Sequence, residues 1–354
     1  MLKIGYNKSD KHVGSESHLE RPDRINYCIG KLVSSLPKTL FIDNITYTKG
    51  VLFGMILQVH SNDHINNLIT YTPKDYTCRK CKFRLQAKNM SFNEFINNTK
   101  TCPSCRKSEN IITNDTIYCY LDSDTYYTAH TLNIVLDGVG VIRQLLDEIK
   151  LGTPYAFALI RPPGHHCENR GSGFCIINNV LIASKYAQQI GYQNVFILDI
   201  DFHHGDGTQN LLLNNSNLTN INFCSLHGYG YGVYPGTGST SDNTEQILNI
   251  PLNIDVYDPE SRKYINDDYY LEKIQNDVNK FILKSNPNII IVSCGFDGHQ
   301  DDTLQGFNLT DEAYVRIVRH LKTYNVPVLY VLEGGYNKYA INRSIGKMIN
   351  EMVN

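Results

Sequence analysis

Apolar residues gather along the chain in short unbroken runs: LKIGY (2–6), YAFALI (155–160), VFILDI (195–200), INFCSL (221–226), NIIIVSCG (288–295) and PVLYVLE (327–333). Unbroken runs of this length, rather than alternation, mark strands buried on both faces. Between them apolar residues recur at helical spacing over about 131–149, 176–190, 267–285, 310–323 and 340–353. Strand and helix in alternation predict an α/β domain: a three-layer, mostly parallel sheet flanked by helices. No internal repeat and no low-complexity linker interrupts the pattern.

The polar residues are placed just as unevenly. Five of the runs pass at their carboxyl ends into glycines and ionisable residues: RPPGHH, DFHHGDG, HGYGYGVYPGTG, FDGHQDD and GGYN. In a parallel sheet this edge is where ligands bind. Within DIDFHHGDG (199–207), Asp201 and His203 are two apart and share a face of an extended segment, with Asp199 on the same side. Asp297, at another strand end, can supply a third ligand. Three protein ligands leave a coordination position for water and substrate, as at a catalytic metal. Mixed oxygen and nitrogen donors suit Zn²⁺, and are compatible with Fe²⁺ or Mn²⁺. A lone Asp-x-His pair is more often structural, so the weight comes from the surrounding strand ends.

Composition changes this picture in two ways. With 354 residues and a 42% hydrophobic share, the chain can bury a large core. No apolar run approaches the ~20 residues of a membrane span, and the N-terminus turns polar too soon for a signal peptide. The expected location is therefore cytoplasmic or nuclear, with the ten cysteines as thiols or metal ligands and no membrane partner. The net charge of −2 hides an asymmetry. Between Lys74 and Lys107, nine Lys/Arg face only Asp75 and Glu94. An acidic body thus carries one basic segment.

Taken together, RPPGHH, GFCIINN, DIDFHHGDGTQ, SLH…YPGTG, SCGFD…D and LEGGYN resemble, in order and spacing, the histone deacetylase superfamily, which includes acetylpolyamine amidohydrolases. HLERPDR (18–24) and VHSNDHINNL (59–68) extend the resemblance to nearly the whole chain, apart from roughly 72–118. The Glu of LEGGYN is closer to the class II branch. The resemblance implies an arginase/deacetylase-like fold over 1–71 and 119–354. It implies Asp201, His203 and Asp297 as ligands of a catalytic Zn²⁺, and His165 and His166 as the tandem histidines, paired with Asp199 and Asp206. It further implies a monovalent-cation site, usually K⁺, at Asp199, Asp201, His203, Ser225 and Leu226. Gly173 and Phe174 would line an acyl-lysine tunnel opposite Tyr234, where the family usually has Phe. Tyr336 would face the substrate carbonyl, and Asp124 would hold a peptide backbone at the rim. Leu304 stands where the polyamine branch carries an acidic gatekeeper, which favours a peptide.

The implied reaction is zinc-dependent hydrolysis of the Nε-acetyl-lysine amide in histones or other proteins. Water is the nucleophile, and His166 is the better candidate to take its proton. Two alternatives stay open: an acetylpolyamine amidohydrolase, or a weakly active acetyl-lysine binder or scaffold. A full catalytic set with Tyr336 argues against the binder, which needs no oxyanion donor. An arginase-like two-metal site lacks evident extra ligands.

The family does not account for Cys78, Cys81, Cys102 and Cys105, spaced C-x2-C-x20-C-x2-C. That spacing predicts a structural Zn²⁺ holding a small ribbon over 72–118. The ribbon either stiffens a long loop or uses its Lys and Arg to recruit nucleic acid or an acidic protein. His60 and His64 have the four-residue spacing of a helical metal pair, but with no third ligand nearby in sequence the structural reading is stronger. Cys175 is expected to pack beneath the site, His227 to shape it, and His12, His130, His299 and His320 to be solvated or capping.

Overall fold

The computed structural model describes residues 2–42, 47–70, 75–78, 81, 84–86, 104–105, 117–255 and 257–354. All six apolar runs form strands: β1 (Leu2–Tyr6), β6 (Tyr155–Leu159), β7 (Val195–Asp199), β8 (Ile221–Tyr229), β10 (Ile289–Cys294) and β11 (Val328–Leu332). A seventh, β9 (Ile247–Asn253), has no such run because Asn249 and Pro251 break its apolar pattern. It lies at the sheet edge, where a proline costs no ladder hydrogen bond. The order is β1-β6-β11-β10-β7-β8-β9, and every pair is parallel.

Successive residues of each strand face opposite layers. Val195 and Ile197 of β7 join one core, while Phe196 and Leu198 join the other. The first core is covered by α2 (Lys49–Ile56), α3 (Asn62–Thr70), α4 (Thr131–Lys150), α5 (Asn179–Gln189) and α6 (Asp206–Asn214). The second is covered by α1 (Asp23–Ser35), α7 (Asp267–Lys273), α8 (Asn279–Ser285), α9 (Asp311–Lys322) and α10 (Lys338–Val353). The single helix expected over 267–285 is interrupted by a π-turn at Ile274–Val278. Phe196 is fully buried between α8 and the sheet, and truncating it to Ala removes about 3–5 kcal/mol.

A second, antiparallel sheet has the order β3-β2-β4-β5: β2 is Asp75–Cys78, β3 Arg84–Gln86, β4 Ile117–Tyr120 and β5 Tyr126–Tyr127. Thr77 and Cys78 of β2 pair with Tyr118 and Ile117 of β4, all four within the 72–118 segment. Cys102 and the Cys78 side chain lie outside the described residues, so the four-cysteine prediction does too. Among the described residues no helix is long and apolar enough to cross a membrane.

Candidate active site

The carboxyl ends of β7, β10 and β11 meet at one point. Asp201 and His203 follow β7, and Asp297 follows β10. His203 Nδ1 lies 3.2 Å from Asp201 Oδ1 and 3.0 Å from Asp297 Oδ2. Both carboxylates are fully buried. Their spare oxygens are held from behind: Phe202 N–H donates to Asp297 Oδ1 (2.9 Å) and Gly334 N–H to Asp201 Oδ2 (2.8 Å). Gly295 must be glycine, because a Cβ there would stand 2.1 Å from Asp201 Oδ2. Burial opposes charge on His203, yet its two carboxylate hydrogen bonds push it up to about 9. Burial and Asp201 raise Asp297 to about 6. Two buried carboxylates around one imidazole call for a cation at their centre. One ligand atom from each residue falls within 4.8 Å of the others, so the donor set fits a divalent metal.

The tandem histidines approach from the loop after β6. Glu333, at the end of β11, fixes that loop: its Oε2 accepts from Gly164 N–H (2.6 Å) and His165 N–H (3.2 Å). His165 faces a carboxylate at each nitrogen, Nδ1 to Asp199 (3.0 Å) and Nε2 to Asp201 (3.7 Å). Burial penalises its charge, but Asp201 and Asp199 keep it cationic, with its pKa well above the usual imidazole range. His166 has one carboxylate, Asp206, 2.7 Å from Nδ1. Burial first, and then the charge on His165, lowers it to about 4. Neutral His166 donates its Nδ1 proton to Asp206, so Nε2 carries the lone pair. The sequence alone could not separate the two rings. What separates them is the number of carboxylates each one meets.

The tunnel residues gather beside these rings. Gly173 has φ +53°, and a Cβ there would lie 2.5 Å from the His166 ring, so only glycine permits the close approach. Phe174, also left-handed at φ +70°, is pinned by its N–H to Thr125 Oγ1 (2.9 Å). Its ring packs against His18 (4.8 Å) and Tyr336 (5.9 Å). Tyr234 stands 5.0 Å from His166, its hydroxyl 3.2 Å from Ser172 Oγ. Arg24 lies over the Tyr336 ring at 4.8 Å, and burial pushes the phenol well above its ordinary range, so it keeps its proton. Asp302 joins Leu304 to this loop by accepting from Leu304 N–H (3.0 Å) and Tyr336 N–H (2.6 Å). Asp124 is exposed, and its carbonyl accepts from His18 Nε2 (2.8 Å). Of the monovalent-cation set, Asp199 is in register with Ser225, whose hydroxyl pairs with His227 Nδ1 (2.9 Å), and Leu226 is buried in the core. Cys175 is buried, as expected.

Two buried groups escaped the sequence reading. Glu333 was read only as a branch marker. Arg161, which opens RPPGHH, donates through Nη2 to Glu20 Oε2 (2.6 Å) and Tyr126 Oη (2.9 Å), while Arg24 Nη1 donates to Glu20 Oε1 (3.1 Å). Charged residues beside strand-end motifs were the available signal. Two expectations are corrected. His12 is not solvated but buried, stacked on Tyr126 at 4.4 Å and paired with Thr131 Oγ1 at 2.8 Å. His299 is buried against Asp311 at 3.0 Å. In both cases a polar partner, 119 residues away for His12 and 12 for His299, offsets the cost of burial.

Residues 18–352 match the histone deacetylase domain, and the chain belongs to that family. It is 29% identical over 372 residues to Type-2 histone deacetylase 2 of Dictyostelium discoideum, covering 96% of this chain and 20% of that protein. The uncharacterized protein slr0245 of Synechocystis is 33% identical over 237 residues, covering 66% of this chain and 73% of that protein. The crystal structure of the HDA15 HD domain superposes with a TM-score of 0.77 at 25% identity, over 99% of this chain and 89% of that one. The chain spans 20% of the Dictyostelium relative and 23% of histone deacetylase 6 of Caenorhabditis elegans.

Proposed function

We propose that this deacetylase hydrolyses the amide of Nε-acetyl-lysine in proteins, using Zn²⁺ held by Asp201, His203 and Asp297. The observation that carries this reading is the geometry of the two histidines above the Asp–His–Asp group: His165 stands 3.0 Å from Asp199 and 3.7 Å from Asp201, whereas His166 pairs with Asp206 alone at 2.7 Å. A bound Zn²⁺ supplies a Lewis acid that polarises the acyl carbonyl and makes water acidic. His166 Nε2 takes the proton from the attacking water and passes it to the departing lysine amine. Cationic His165 keeps positive charge beside the reacting carbon, and Asp199 and Asp201 keep it in place. Tyr336 donates its O–H to the developing oxyanion. Phe174 and Tyr234 flank the acyl-lysine stem, and Leu304 gives a cationic polyamine no counter-charge at the rim. Asp124 receives the peptide backbone.

In the same reading Cys78, Cys81, Cys102 and Cys105 hold a structural Zn²⁺. Asp199, Asp201, His203, Ser225 and Leu226 surround K⁺, and the protein works in the cytoplasm or nucleus on acetylated proteins. Metal analysis with acetyl-lysine peptide and acetylpolyamine assays on one preparation tests the central claim. Zinc with peptide turnover is expected. Turnover of acetylpolyamines alone would move the substrate class to polyamines, and no turnover of any acyl chain would leave a binding protein.

A further inference from the structure

One buried cluster has no part in this chemistry. His60 precedes α3, His64 lies in its first turn, and Cys167 follows His166 on the histidine loop. One ligand atom from each falls within 4.8 Å of the others. Among the described residues, the only other group to meet this test is Asp201–His203–Asp297. Cys167 Sγ is 3.7 Å from His64 Nε2. The carbonyl oxygen of Ile176 is 2.9 Å from His64 Nε2 and 3.1 Å from Cys167 Sγ. Zn–N and Zn–S bonds of about 2.0 and 2.3 Å at a tetrahedral angle put nitrogen and sulfur about 3.5 Å apart. The third ligand absent from the local sequence is therefore supplied by the fold.

We propose that His60, His64 and Cys167, with the Ile176 carbonyl as fourth donor, form a second metal site that takes Zn²⁺. Thiolate and imidazole are a borderline-soft set suited to this ion. His60, His64 and Cys167 are all buried. Asn178 N–H donates to His60 Nε2 (2.8 Å), the kind of bond an ion displaces on entry. The Cys167 thiol gives its proton to solvent as the ion binds, so one Zn²⁺ enters and one H⁺ leaves. A surface cavity of about 490 Å³, lined by His64, Leu68, Leu121, Asn169, Arg170 and Gly171, gives the ion a way in. Because Cys167 adjoins His166, the ion would brace the histidine loop from the side away from substrate.

The test compares full-length wild type with Cys167→Ser and His64→Gln, so that every other zinc site cancels. Serine retains a hydroxyl donor for the carbonyls around Cys167 but cannot give a thiolate. After chelator treatment and reloading with Zn²⁺, wild type should hold one more ion per chain than either variant. The Co²⁺-loaded wild type minus Cys167→Ser spectrum should show a sulfur-to-cobalt charge-transfer band. Equal metal content in folded wild type and variants, with no band, overturns the site. If the variants do not fold, wild type alone decides by peptide-resolved alkylation of Cys167 in mild urea. Zn²⁺ at ten times its dissociation constant should slow that reaction about tenfold, and an unchanged rate overturns the site.

Discussion

Both His-containing clusters bring their donor atoms within 4.8 Å of one another, yet their electrostatics are opposite. Around His203 stand two buried aspartates, which push it up to about 9. Around His60 and His64 stand a thiol, a carbonyl and an amide, and burial lowers His60 to about 3. Closeness alone does not say what a cluster does. In the proposed reaction the carboxylate-rich group would hold a cation beside the reacting carbonyl. The neutral group can receive an ion only by losing a proton from sulfur. The tandem histidines repeat this contrast within one loop, since His165 meets two carboxylates and His166 one.

Breaking the acidic cluster should have the largest effect. His203→Ala removes a ligand and several kcal/mol of transition-state stabilisation, at least about a thousandfold in kcat. Deacetylation assays with metal analysis should show both losses together, and retained turnover would separate His203 from the chemistry. His166→Asn should cost about 10²–10⁴-fold with metal still bound. A rate within tenfold of wild type would remove His166 as the base. Tyr336→Phe should lower turnover about 10²–10³-fold, with metal content and fold unchanged. The neutral side of the comparison is read by acid. His60 and His227, each at about 3, have no carboxylate hydrogen-bond partner. Their folded pKa lies below the unfolded value of about 6.5, so protonation favours the unfolded chain. Their contribution is complete above pH 6.5 and is lost as pH falls toward 3, by about 1.4 kcal/mol per unit for each histidine. Urea denaturation of metal-free protein at pH 7 and pH 5.5 checks this, and unchanged stability contradicts it. Tyr234→Phe should do least: it removes one hydroxyl contact with Ser172, within about 0.5–1.5 kcal/mol.

Unbroken apolar runs announced six of the seven strands, because burial on both faces leaves no polar positions to blur the signal. The strand β9 escaped because Asn249 and Pro251 interrupt its apolar residues. His165–Asp199 and His166–Asp206 were legible from motifs and are found paired. The difference between them was not legible, because it rests on Asp201 standing 3.7 Å from a second ring nitrogen. The Glu20–Arg161–Tyr126 network joins residues 35 to 141 positions apart, and no local pattern encodes it. Cys167 met His64 for the same reason.

The position of β11 has a consequence for biosynthesis. The last strand in the chain lies in the interior of the sheet, between β6 and β10. A ribosome emits β6, ending at Leu159, long before β11, which starts at Val328, and emits β10, ending at Cys294, shortly before it, so the nascent chain must carry an unfilled slot with two unpaired edges. Contacts of such long sequence separation form slowly, and exposed edges are where half-made chains aggregate. Glu333, which fastens the histidine loop, directly follows that strand. Activity should therefore appear only after β11 has been made and has closed the sheet.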